Sequence, residues 1–88
     1  MPHVARPPQP LSAMAHGQPG RICGVRMTPD QVAWLAALGL PVGEDVVVLR
    51  RAPFGGPLHV RAGSGAEFAL DLDCALGIDV VPAAAFIR

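Results

Sequence analysis

Three side chains of this 88-residue chain carry the types needed for metal chemistry at a spacing that could bring them together: His59, Glu67 and Asp71. A histidine imidazole with one or two carboxylates can ligate zinc or ferrous iron. Their meeting depends on a hairpin. If Leu58–Ala62 pairs with Ala66–Leu72 through a Gly63-Ser64-Gly65 turn, Leu58 and Val60 face inward opposite Leu70 and Phe68. The outer face then sets Arg61 opposite Glu67 and His59 opposite Ala69, with His59 diagonal to Glu67 and Asp71. Cys74 and Asp73 lie just beyond. Three ligands on one flat face rarely close a tetrahedron, so a second copy of the chain would have to complete the site. The plainer reading is a solvated face with an Arg61–Glu67 ion pair worth less than about 1 kcal/mol. Both readings stay open at this level.

Other chemistries fare worse. A P-loop needs GxxxxGK[ST], and the chain has no lysine. Gly55-Gly56-Pro57 precedes an apolar run suited to a strand, not a helix, so a dinucleotide fingerprint is also excluded. Ser12 and Ser64 stand in no nucleophile elbow. Cys23 and Cys74 form no CxxC pair, and they read as free thiols in a reducing cytoplasm. Net charge is +0, which argues against a phosphate-neutralising surface. Three phenylalanines and one tryptophan are too few for a base-stacking platform. No motif supports an enzyme. The N-terminus lacks a secretory h-region, and no apolar run reaches the roughly 18 residues a span needs.

These residues need elements to position them. Met1 to Pro10 holds four of the ten prolines and reads as a disordered tail, with the domain running from residue 11 to 88. Leu11 and Met14 suit a short turn docked on the core. Arg21–Met27 patterns as a first strand. Thr28-Pro29-Asp30-Gln31 is a capping box with proline at the first helical position. It starts a helix that runs to about Leu38 and is stopped by Gly39 and Pro41. Val32, Leu35 and Leu38 form its core face, with Trp34 at the edge. Asp45–Arg51, Leu58–Ala62, Ala66–Leu72 and Ile78–Val81 complete a set of five short strands and one helix, which fits a small antiparallel barrel. Ala52–Pro57 is a sharp reversal. Phe54 at its tip, Trp34 on the helix rim and Arg50, Arg51 and Arg61 are candidate partner contacts.

Four pieces in order carry a family resemblance. They are G-x-P-G-R-I-x-G-V at Gly17–Val25, L-x-x-L-G-L-x-x-G at Leu35–Gly43, V-V-V-L-R-R-A-P-F-G-G-P-L-H-V at Val46–Val60, and E-F-A-L-D-x-x-x-A-x-x-I-x-V at Glu67–Val80. In these the chain resembles the ferrous iron transport protein A (FeoA) family. The resemblance implies an SH3-like barrel with one helix inserted after the first strand. It implies a cytoplasmic accessory protein of bacterial ferrous iron uptake whose partner is a FeoB-type transporter carrying a GTPase domain. No cofactor is required by that reading, although zinc or iron could bridge a homodimer through the histidine face. The chain departs from the family pattern at Gly56, where an acidic residue is common, and at Asp71, Asp73 and Asp79, in a segment that is often basic. The same barrel type occurs in iron-dependent repressors, but this chain has no room for their DNA-binding helices.

Overall fold

Helix α1 (Pro29–Leu38) follows its local signals closely. The Thr28 hydroxyl accepts the Gln31 N–H at 3.3 Å, and the Gln31 side-chain oxygen accepts the Thr28 N–H at 3.2 Å. Two of the helix's orphan donors are thereby satisfied. At the other end Gly39 turns left-handed at φ 108°. Its N–H then reaches Ala36 O at 3.0 Å, and the Leu40 N–H reaches Leu35 O at 2.9 Å. This is a Schellman closure, and it drops Leu40 into the core. Of the expected core face only Leu35 is fully buried; Val32 and Leu38 are half-buried.

The computed structural model describes residues 7–82. The proline-rich expectation for residues 1–6, and the domain end beyond Pro82, lie outside the described residues. Six strands follow in chain order: β1 (Gln9–Pro10), β2 (Pro19–Val25), β3 (Asp45–Arg51), β4 (Leu58–Ala62), β5 (Glu67–Leu70) and β6 (Ile78–Pro82). A single 3-10 turn at Leu11–Ala13 follows β1, α1 follows β2, and a short helix α2 (Leu72–Leu76) separates β5 from β6. All pairings are antiparallel in the order β1-β6-β2-β3-β4-β5. The fold is the expected mainly β, SH3-like one, but the sheet has six strands rather than five and its ends are not joined. No described helix is long and apolar enough to cross a membrane.

Alternation buries Val46 and Val48 of β3, Leu58, Val60 and Ala62 of β4, and Ile78 and Val80 of β6. Leu11 and Met14 are each about 1% exposed, so the short turn does dock on this core. Gln9 and Pro10, expected in the tail, instead pair with Val80 and Asp79 of β6. The burial of Leu11 and Met14 just after them holds that segment down. The first long strand lies two residues earlier than Arg21–Met27. Its far end is Val25, and the Arg26 N–H still reaches Gly77 O at 2.7 Å just beyond it. Proline is tolerated at its first position, where no ladder donor is needed.

The strand expected over Ala66–Leu72 ends at Leu70. Asp71 caps α2 instead, its carboxylate accepting the Cys74 N–H at 2.7 Å. The hairpin register matches expectation: Leu58 opposite Leu70, His59 opposite Ala69, Val60 opposite Phe68, Arg61 opposite Glu67.

Candidate functional site

Two neighbouring arginines are sent to opposite faces by one irregularity. The β3–β4 register shifts between Val48 and Arg50, so Arg50 stands opposite His59 and Arg51 opposite Leu58. Strict alternation from Val48 would have reversed the pair. Arg51 turns toward the core side, where its guanidinium donates to the carbonyls of Ser12 and Met14. Arg50 stays exposed on the outer face beside His59. A bulge of this kind has no signature in a run such as VVVLRR, so the sequence could not separate their roles. Arg61 is exposed and makes no ion pair among the described residues.

On that outer face His59 Nε2 lies 2.9 Å from Glu67 Oε1, and Nδ1 lies 3.3 Å from Arg50 Nη2. A guanidinium can only donate and a carboxylate can only accept. The neutral ring that satisfies both neighbours therefore carries its proton on Nε2. Glu67 thus pairs with His59 rather than with Arg61 directly across the ladder. Asp71 is occupied as the cap of α2, and no group of three or more His, Cys, Asp or Glu that could hold a metal is formed among the described residues. Within one chain, then, His59 and Glu67 meet, while Asp71, Asp73 and Cys74 do not complete a ligand set with them.

The three carboxylates of the 71–79 segment each have local work. Asp71 caps α2, and Asp73 sits in its first turn, where the helix end favours negative charge. Asp79 takes Arg26 in a fork, Nε to Oδ2 and Nη2 to Oδ1 both at 2.9 Å, while Nη2 also reaches Leu76 O at 2.8 Å. Hydrogen bonding to Arg26 holds the Asp79 carboxyl below its ordinary range. Burial, assisted by Asp71, pushes the Cys74 thiol up, so it stays protonated at neutral pH and is a poor thiolate ligand. Both cysteines are free.

The reversal between β3 and β4 is a type I′ turn. Phe54 has φ 60° and Gly55 φ 73°, and the Gly56 N–H closes on Pro53 O at 3.1 Å. Below it the Ala52 N–H reaches Pro57 O at 2.9 Å. Phe54 is the one non-glycine residue with positive φ among those described, and at 103% relative exposure its ring does not fold back over the barrel end. Bulky residues rarely adopt this conformation. Sequence reading could place Phe54 at a loop tip but could not see the strain.

Two clefts flank this region. One of about 360 Å³ runs beside the turn, lined by Arg50, Pro53, Pro57, His59 and Ala69 among others. The larger, about 660 Å³, lies between α1 and the β5–α2 corner, with Trp34, Met27, Cys74, Asp71 and Asp73 in its walls. Ala69 lines both, so the outer face continues from the Phe54 turn to Trp34. Trp34 is 53% exposed, a partly open wall rather than a lid on the core.

The family model for the FeoA domain matches residues 9–82. Among solved structures, an iron uptake regulatory protein (FeoA) is 27% identical with a TM-score of 0.74, over 88% of this chain and 99% of that one. FeoA of Stenotrophomonas maltophilia, complexed with zinc and described as a prokaryotic SH3 domain protein, is 31% identical with a TM-score of 0.68, over 88% and 93% of the two chains. A manganese-dependent transcriptional repressor, solved with manganese, is 28% identical with a TM-score of 0.79, but only 37% of its length is covered. Comparison with curated proteins gave no match.

Proposed function

The chain belongs to the FeoA family, whose role is in ferrous iron transport, and from that premise we propose that it is a cytoplasmic accessory protein that docks on a FeoB-type transporter and modulates it. Phe54 is the observation that carries this reading: an apolar ring fully exposed on a strained turn. A conformation that costs free energy and leaves an aromatic ring in water is retained where a partner uses it. Trp34, reached along the same face through Ala69, is the second contact, and exposed Arg50 and Arg61 supply positive charge on the outer face of β3 and β4. Arg51 contributes by bracing the turn's root, since its guanidinium is spent on the Ser12 and Met14 carbonyls.

The test is binding of the full chain to the cognate transporter, both its isolated cytosolic domain and the whole protein in detergent. Phe54→Ala/Trp34→Ala is expected to weaken binding by at least about thirtyfold, the scale of a hot spot. Undiminished binding by the double variant, or no binding by wild type to the whole transporter, would overturn the reading.

A second reading has one observation in its favour: the S. maltophilia relative is a zinc complex. The His59–Glu67 pair could join its copy in a second chain to hold zinc or iron across a dimer. It requires that zinc shift the sedimentation of wild type and not of His59→Ala. A protein that stays monomeric with zinc and with ferrous iron rules it out.

A further inference from the structure

The unclosed sheet has two ends, and they are guarded differently. At one end β1 is two residues long and set among Pro7, Pro8 and Pro10, which offer no backbone donors. Prolines on a short edge strand are a standard block to further pairing. At the other end β5 is four residues long, Glu67–Leu70, with no proline, no lysine and no register shift against β4.

The outward groups of β5 follow from the ladder. The Ala62 N–H donates to Ala66 O at 2.8 Å, which makes that pair a hydrogen-bonded one. Alternation makes Val60–Phe68 and Leu58–Leu70 hydrogen-bonded too, and leaves Glu67 and Ala69 with N–H and C=O pointing away from β4. Those outward groups find no backbone partner among the described residues. Ala69 lines the cleft whose opposite wall is α1 with half-exposed Trp34.

The two faces of β5 also differ. Glu67, Ala69 and Asp71 are all exposed and follow one another at strand spacing, with Asp71 still extended at ψ 163°. Phe68 and Leu70 face the core side. Asp73 adds a further carboxylate to the cleft, and the one cation lining it, Arg26, is already held in the Asp79 fork. Glu67 takes His59 on its β4 side and Asp71 caps α2, but both carboxylates stay exposed, so basic side chains at alternate positions of an added strand would lie beside them, and its apolar positions beside Phe68 and Leu70. A second copy pairing through its own β5 would bring Glu67, Ala69 and Asp71 to the strip, which hold no cation.

We infer that β5 is a strand-addition site: the free edge of Glu67–Leu70 pairs with an extended partner segment alternating basic and apolar residues, laid in the cleft against Trp34. The mode needs neither the Phe54 turn nor any particular transporter, so it stands or falls separately from the docking reading.

The probe is an acetylated, amidated hexapeptide of alternating arginine and valine, titrated into the ¹⁵N-labelled full chain. Shifts centred on the Glu67–Leu70 amides and the Trp34 indole are expected, unchanged in Phe54→Ala. Methylating alternate peptide nitrogens so that one edge cannot donate should weaken binding by about tenfold, because main-chain hydrogen bonds are lost while charge is kept. A glutamate-for-arginine peptide should not bind. Ala69→Pro, which removes only an outward N–H, should weaken binding similarly; should it fail to fold, the methylated peptide carries the test. Equal affinity of the methylated peptide, shifts centred elsewhere, no binding, or β5 amides already protected in a dimer of the free chain would each overturn the proposal.

Discussion

Strand β4 is shared by two hairpins, and their turns obey different rules. In the β4–β5 turn, Gly63-Ser64-Gly65, the left-handed position is held by Gly65 at φ 99°, and the Ser64 hydroxyl accepts the Ala66 N–H at 3.4 Å. Residue types and backbone agree throughout. In the β3–β4 turn the first left-handed position holds Phe54, where asparagine or glycine is the ordinary choice. A local rule broken in one hairpin and kept in its neighbour points to a requirement on the side chain rather than on the chain reversal.

The sharpest test of the contrast is steric. A Cβ at Gly56 would lie 2.7 Å from Ala52 Cβ and 3.1 Å from Pro53 O, whereas one at Gly65 would meet nothing within 4 Å. Gly56→Ala should therefore cost about 2–3 kcal/mol through overpacking. Gly65→Ala should cost about 1 kcal/mol, from backbone strain alone. Urea midpoints of the two variants check this. Equal losses would mean that the β3–β4 turn is no more tightly built than its neighbour.

Next in size is the root of the strained hairpin. Arg51→Met leaves the Ser12 and Met14 carbonyls without their donor and should cost about 1.5 kcal/mol. Arg50→Met, one residue earlier and exposed, should stay within about 0.5 kcal/mol. Similar costs at both positions would show that the bulge between Val48 and Arg50 does not divide their roles.

The same contrast explains what was legible beforehand. Helix α1 could be read from Thr28 to Gly39 because its caps are local and each signal reinforces the next. The β4–β5 register was readable because its turn residues and its inward pairs agree. The β3 bulge was not, since it depends on pairing with β4, and neither were the Asp71 cap and the left-handed Phe54, whose closing bonds are local but run against the strand alternation in the first case and the residue type in the second. Asp71 and Leu72 continue the alternation of β5 and read as its end, but the bonds from Cys74 N–H to the Asp71 carboxylate and from Ala75 N–H to Asp71 O make them the cap and first residue of a helix. His59 and Glu67 were foreseeable as neighbours. That Arg50 would take the other ring nitrogen was not, because the bulge decides it.

Relief of the Phe54 strain is a smaller effect with an informative sign. Asparagine tolerates the left-handed region, so Phe54→Asn should raise stability by about 1 kcal/mol while weakening transporter binding. A gain in stability with a loss in binding is what a side chain kept for a partner predicts. Loss of stability would mean instead that the ring holds the fold together, contrary to its full exposure.

Acid gives the last and smallest contrast, because neither turn contains a carboxylate: residues 52–57 read APFGGP and residues 63–65 read GSG. The Phe54→Asn gain should therefore not change with pH. The Arg26–Asp79 fork behaves otherwise. Its carboxyl is held below the ordinary value by hydrogen bonding, so the folded state binds that proton less readily than the unfolded chain does. The stabilisation is then complete above the unfolded value of about 3.9 and is lost as pH falls through the lowered folded value. Asp79→Asn should be less stable than wild type at pH 7, and that gap should close on acidification below about pH 4, while the gap between wild type and Phe54→Asn stays constant. A gap at Asp79 that persists to pH 2 would show that the fork acts through shape and not charge. A pH-dependent gap at Phe54 would mean that the strained turn is coupled to a carboxylate elsewhere in the sheet, and the two hairpins would no longer differ by side-chain choice alone.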